Sequence, residues 1–197
     1  MSTQPYELAG RSRQKLRTRT ALLDAARDLI AKGKTPTVED AAEAADVSRT
    51  TAYRYFANQA QLLAAAHPET ETRSLLPRTA PRDAEARLDA VIARFVRIVL
   101  ETEPQQRTML RLSLDPDRTE PLFLRQGRAI AWIEEALEPL RDELSPARLR
   151  RLVLAIRTTA GIEALVWLTD VAGLSHQEAA KTMRWSASRL LAGALAE

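Results

Sequence analysis

The sequence predicts an all-α fold, on three observations. Ala, Leu, Arg and Glu number 34, 28, 25 and 16, so about half of the 197 residues are strong helix formers. Val and Ile together number only 15, too few for a protein built on sheets. Segments with 3.6-residue apolar periodicity are separated by prolines, and none shows strand alternation. The absence of Cys excludes disulfide scaffolds and thiol chemistry, and two distant histidines, His67 and His176, make a zinc centre or a catalytic triad improbable. No catalytic residue, metal or cofactor is expected. No apolar run reaches the ~18 residues of a membrane span, and residues 1–14 lack the apolar core of a signal peptide. The expectation is a cytoplasmic protein without membrane contact.

The elements follow in order. Residues 1–11 are polar and read as a disordered tail. A first helix spans 12–32, with Leu16, Leu22, Leu23, Ala26, Leu29 and Ile30 on one face and Gly33 as its stop. Thr37 caps a short second helix, with Asp40 completing a capping box. After the turn Asp46-Val47-Ser48, Ser48 caps a third helix running to Tyr55. Asn58 caps a fourth, 59–66. A Pro-broken connection over 67–82 leads to five longer helices at about 83–102, 105–114, 121–143, 147–172 and 176–195. The boundaries implied are 1–66 for a first domain and 67–197 for a second.

The charge is unevenly placed. Residues 1–66 carry ten Lys/Arg against seven Asp/Glu, and residues 67–197 carry nineteen of each, so the whole excess of +3 lies in the first third. Arg11, Arg13, Lys15, Arg17 and Arg19 form a run without an acid. At the start of a helix such a run opposes the helix dipole, a cost that a phosphate backbone would reverse. Two short helices joined by a tight turn form a helix-turn-helix plan, whose second helix fits the DNA major groove. That helix, SRTTAYRYF, carries Arg49, Thr50, Thr51, Tyr53, Arg54 and Tyr55 within two turns, while Ala52 and Phe56 make its inward face with Val47. Arg suits a guanine edge, Thr a base or phosphate, and Tyr a phosphate or a base face. Ser48, at the mouth of the helix, belongs to the same candidate DNA-contacting set.

The stretch TVEDAAEAADVSRTTAYRYFANQAQLL, residues 37–63, resembles the TetR family of transcriptional regulators, most specifically in YRYF and the capped helix after it. The text GIEALVWLTDVAGLSHQEAAKTM also resembles that family's last two helices. The resemblance implies a three-helix DNA-binding domain and a helical domain that dimerises and holds a small-molecule effector. By position it implies a phosphate contact at Thr37, base and phosphate contacts at Arg49, Thr50, Thr51, Tyr53 and Arg54, and an aromatic near the backbone at Tyr55. Three residues depart from the pattern: Asp46 where Gly is usual in the turn, Ala52 where a larger aliphatic is usual, and Gln59 where Lys meets a phosphate.

In the second domain, helix 147–172 has one stripe of Leu149, Leu152, Val153, Ile156, Ala160, Ala164, Trp167 and Val171, and is apolar nearly all round at 161–168. The last helix sets Ala179, Ala180, Met183, Ala187, Leu190, Leu191 and Ala194 on one face. A homodimer is expected through Ile156, Ala160, Trp167, Ala180, Met183, Ala187 and Leu191; the bland alternative is that both stripes are core of one chain. Phe95, Met109, Trp132, Glu163 and Trp167 are the candidate effector pocket, suited to a mainly hydrophobic ligand. Glu163, inside the apolar stripe, needs a partner: an Arg or a helix terminus in a structural pair, or else it serves as a polar anchor for an effector or a dimer contact. The expected function is a dimeric regulator of a palindromic double-stranded DNA operator, a repressor released by a small hydrophobic effector. The alternatives are an activator, or a ligand-binding module with weak or lost DNA binding.

Overall fold

A computed structural model describes the backbone of residues 4–67, 72–114 and 128–196, and side chains from residue 13 onward. Among the described residues every regular element is a helix: α1 (Gln4–Ala31), α2 (Val38–Ala44), α3 (Arg49–Tyr55), α4 (Gln59–Ala66), α5 (Ala84–Glu101), α6 (Glu103–Ser113), α7 (Arg128–Ala136), α8 (Pro146–Thr159), α9 (Ile162–Val166) and α10 (His176–Ala196). A 3-10 turn, Glu138–Leu140, follows α7, and a π-helical turn, Trp167–Val171, follows α9. No single helix among them is long and apolar enough to cross a membrane.

Local chemistry sets most boundaries. Gly33, at φ +75, ends α1, and the Lys34 amide reaches back to the Leu29 carbonyl at 3.0 Å. Side-chain oxygens of Thr37, Ser48, Asn58, Asp83 and Ser145 accept the amide three residues on and start α2, α3, α4, α5 and α8. At the head of α10, Ser175 and Glu178 exchange the same reciprocal bonds.

Four expectations change. The chain is already helical at Gln4, so residues 4–11 are not a disordered tail, and Pro5 stands in the first turn. The basic run therefore occupies the middle of α1, where the dipole argument no longer applies. Leu16 points to solvent, because the α1 core face begins nearly two turns later, at Leu22. The helix expected at 121–143 appears as α7 and the 3-10 turn, since Pro139 cannot continue an α-helix; residues 121–127, like Pro68 and Pro116, lie outside the described residues. The long helix 147–172 is broken at Gly161, whose φ of +132 only glycine adopts readily, and its two parts are bent by 42°.

Two cores result. Leu22, Leu23, Ala26, Val38, Ala41, Ala42, Ala52, Phe56, Leu62 and Ala66 close the first three helices on α4. The larger core joins α5, α7, α8, α9 and α10, with Trp132 edge-on to Phe95 at a centroid distance of 6.0 Å. A small cluster of Ala60, Leu63, Ala64 and Met109 fastens α4 to α6 between them.

The stripe of α10 packs into its own chain. Ile156, Ala160, Met183, Ala187 and Leu191 are all within the large core, so five of the seven residues expected at a dimer interface offer it no surface. The period of a stripe identifies a buried face without identifying what buries it. Of that set, Ala180 is half-buried and Trp167 is 59% exposed.

Nor do the expected pocket residues converge. Phe95 and Trp132 are core; Met109 lies in the small cluster under α4; Trp167 is on the surface. Glu163 is half-exposed rather than buried, and its carboxylate pairs with Arg157 at 3.3 Å. Arg157 also donates to the Ala160 carbonyl and lies 5.7 Å from the Phe95 ring centroid, so the pair braces the break at Gly161. A cleft of about 120 Å³ lies instead between α5 and α10, over Leu88, Ile92 and Leu191, with the Asp89–Arg184 ion pair beside it.

Candidate nucleic-acid interface

The short α3 is held by few but well-placed contacts. Ala52 and Phe56 are fully buried against α1, α2 and α4, with Val47 packed beside them. Ala52 in place of a larger aliphatic is thus completely enclosed. Asp46 adopts φ 52, the left-handed conformation the turn requires, which Asp tolerates better than most residues. With one face of a seven-residue helix fixed, Arg49, Thr50, Tyr53 and Arg54 project to solvent, and Thr51 and Tyr55 are half-buried.

Hydrogen bonding sorts these side chains. The Ser48 hydroxyl donates to Thr51 Oγ1 at 2.9 Å and accepts the Thr51 amide, so Ser48 and Thr51 are committed to the cap. Thr37 is similarly occupied: its hydroxyl donates to Asp40 at 2.8 Å and accepts the Asp40 amide. The Thr37 amide, 2.8 Å from the same carboxylate oxygen, and then the Thr37 hydroxyl hold the Asp40 carboxyl below its ordinary range. A phosphate contact at Thr37 or Ser48 must therefore replace a bond already made. Arg54 and Thr50 stand exposed at the surface of α3.

One residue that sequence reasoning missed lies among them. Glu39, in α2, accepts from Arg49 Nη2 at 3.0 Å and from the Tyr53 hydroxyl at 2.6 Å, both on the same oxygen, Oε1. The Tyr53 bond, the Glu39 amide and the Arg49 bond, in that order, depress the Glu39 carboxyl to about 2, and the shared bond raises the Tyr53 phenol. Arg49 and Tyr53 stand one turn apart on α3, but no sequence spacing ties Glu39 to them. Only the crossing of α2 over α3 brings them together, so the sequence held no signal for this contact.

On α1, Arg13, Lys15, Arg17 and Arg19 are all exposed, and Arg19 also covers the Phe56 ring at 5.5 Å. The side chain of Arg11 lies outside the described residues. Gln59, at the position where a Lys would meet phosphate, donates its amide to the Thr35 and Pro36 carbonyls at 3.3 and 3.2 Å. It ties the start of α4 to the α1–α2 loop. Exposed cations thus stand on α1 and a dense set of hydrogen-bonding side chains on α3.

Residues 22–66 match the family model described as bacterial regulatory proteins, tetR family. The match runs from the first buried residue of α1 to the end of α4. A search of curated proteins found no match.

Proposed function

We propose that this chain, which matches the tetR family model at residues 22–66, is a DNA-binding transcriptional regulator: a repressor which occupies a palindromic operator as a homodimer and leaves it when a small apolar effector binds. In this reading residues 1–66 bind DNA and residues 67–197 carry dimerisation and effector binding. The observation that carries the DNA contact is the outward set Arg49, Thr50, Tyr53 and Arg54 on a helix whose opposite face is locked by Ala52 and Phe56. Arg13, Lys15 and Arg17 supply sequence-independent attraction to phosphates.

Dimerisation is supported by large apolar side chains left exposed on the last helices. Leu154, Trp167, Val171, Trp185 and Leu195 all stand at the surface of α8, the π-helical turn or α10. Trp185, Ala192 and Leu195 share one helical face of α10, opposite the face that fills the core. The dimer we propose thus uses the same helices as the sequence reading but their outer faces. Effector release is the reading that the family resemblance favours, by population shift: an effector favours whichever spacing of the two DNA-binding domains it binds more tightly.

Selection of bound duplexes from a random DNA pool, followed by a reporter driven by the matching promoter, tests the proposal. Recovery of a two-fold symmetric site and lower reporter output with the protein present are expected. Higher output would make the protein an activator, and failure to enrich any sequence would refute specific binding.

A further inference from the structure

We propose that Glu39 is a positioning residue for sequence readout: its carboxylate fixes Arg49 and Tyr53 so that they meet base edges rather than phosphates. The proposal rests on the reading of α3 as the recognition helix.

Arg49 and Tyr53 are four residues apart and lie on one face of α3. Glu39 reaches them from α2 and ties both to one oxygen. The contact does little for stability, because the Arg49 side chain is 74% exposed and a lone surface ion pair contributes little. It also works against general DNA affinity, because a carboxylate on this face repels the phosphate backbone and occupies a cation that would otherwise bind it. What the contact does supply is geometry.

The hydrogen-bond inventory shows which geometry. Arginine carries five N–H donors, and the bond to Glu39 uses one, on Nη2. The remaining donors are free to form the two-pronged bond to guanine O6 and N7, with the guanidinium plane held rather than swinging. The Tyr53 phenol has one proton, and it is given to Glu39. Its oxygen is left as an acceptor only. A phosphate offers no donor to such an oxygen, whereas the amino groups of cytosine and adenine do. Glu39 therefore turns two side chains that could bind any backbone into a donor fork and an acceptor.

Glu39→Ala and Glu39→Gln chains, with Tyr53→Phe, test this on two probes: the duplexes that the wild-type chain selects from a random pool, and the unselected random duplex. Glu39→Ala is expected to bind random duplex as tightly as the wild type or more tightly, with a log–log salt slope steeper by about 1 per protomer because Arg49 is released. Its preference for the selected duplex over the random one should fall at least fivefold, and reselection should lose information at one or two positions per half-site. Tyr53→Phe keeps the Arg49 pair and should lose preference at the acceptor position alone. An unchanged ratio and consensus in Glu39→Ala overturns the proposal. Parallel loss of affinity for both duplexes also overturns it, since that marks Glu39 as a strut between α2 and α3. Should Glu39→Ala fail to fold, as judged by its helical circular dichroism, the isosteric Glu39→Gln decides by the same ratio. A wild-type chain that enriches no sequence would fail earlier, at the recognition-helix reading itself.

Discussion

Acid should destabilise this protein through His67, before most of its carboxylates take up protons. His67 is 1% exposed, at the end of α4 where the DNA-binding helices meet α6. Burial, with the Arg128 charge second, depresses its imidazole from 6.5 to about 4. The hydrogen bonds also fix its neutral tautomer. The Thr102 hydroxyl gives its proton to the Ile98 carbonyl at 2.6 Å and accepts from Gln106 Nε2 at 2.9 Å, so the 3.1 Å contact with His67 Nε2 requires that nitrogen to donate. The folded state thus refuses a proton that the unfolded chain accepts at pH 6.5. Stability from this group is complete above pH 6.5 and declines as the pH falls toward 4. The loss is about 2 kcal/mol at pH 5 and levels off near 3 kcal/mol, at 1.36 kcal/mol per pH unit. Urea unfolding at fixed protein concentration, at pH 7.5, 6 and 5, should be compared between the wild type and His67→Gln, which reaches Thr102 with an amide but does not titrate. The stability difference between the two chains should move by about 2 kcal/mol in favour of the variant from pH 7.5 to 5. A difference that stays constant, or a His67 ring signal titrating near 6.5, would refute the reasoning.

Three further outcomes are expected. Gly161→Ala should destabilise the chain by about 2–3 kcal/mol, since alanine is strained at φ +132 and its Cβ would stand 2.6 Å from Arg157 Nη1; an unchanged melting temperature would mean that the bend between α8 and α9 relaxes freely. Ala187→Glu and Trp185→Glu should separate core from interface. The first puts a charge at a site 1% exposed and should unfold the chain, whereas the second changes a residue 64% exposed and should give a folded monomer by sedimentation; a dimer persisting in Trp185→Glu places the interface elsewhere. Arg13→Gln with Arg17→Gln should make the salt slope for random duplex shallower by up to about 2 per protomer, and an unaltered slope removes these cations from the DNA surface.

What the sequence disclosed, and what it concealed, divides by the range of the interactions. Caps at Thr37, Ser48 and Asn58 and the stop at Gly33 were all legible, because each is settled by bonds or backbone angles within a few residues. The outward set on α3 was legible too, since Ala52 and Phe56 one turn apart fix which side faces in. The break at Gly161 was hidden by an apolar pattern that continues at helical period on both sides of it. The α10 stripe was read correctly as buried but assigned to a partner, and nothing local distinguishes α5 and α8 of the same chain from a second copy. The beginning of α1 carries no apolar stripe, so periodicity had nothing to register there. The Glu39 contact and the burial of His67 exist only once helices cross.

Among the described residues α6 bonds both α4 and the π-helical turn. On one side Met109 packs with Ala60, Leu63 and Ala64, and Gln105 Nε2 donates to the Leu63 carbonyl at 2.7 Å, so α6 grips α4. On the other side Arg107 holds both oxygens of Asp170 at 2.6 and 2.7 Å while bonding Glu103 at 2.7 Å, and Glu103 reaches His176. Arg107 holds the Asp170 carboxyl down at about 2, so the tie is ionised throughout the working pH range. Asp170 sits in the π-helical turn beside the exposed Trp167 and Val171, and such turns are where helices change register. A movement of that turn must therefore break the Arg107 fork or carry α6, and with it α4. Adjacency alone does not establish coupling, but a double-mutant cycle does. Arg107→Ala and Asp170→Asn should each raise the hydrogen-exchange rates of α4 amides, and the double variant should raise them no further, because both substitutions cut one connection. Fully additive effects, or α4 amides indifferent to either change, would show that the tie holds α6 to the π-helical turn and transmits nothing to α4.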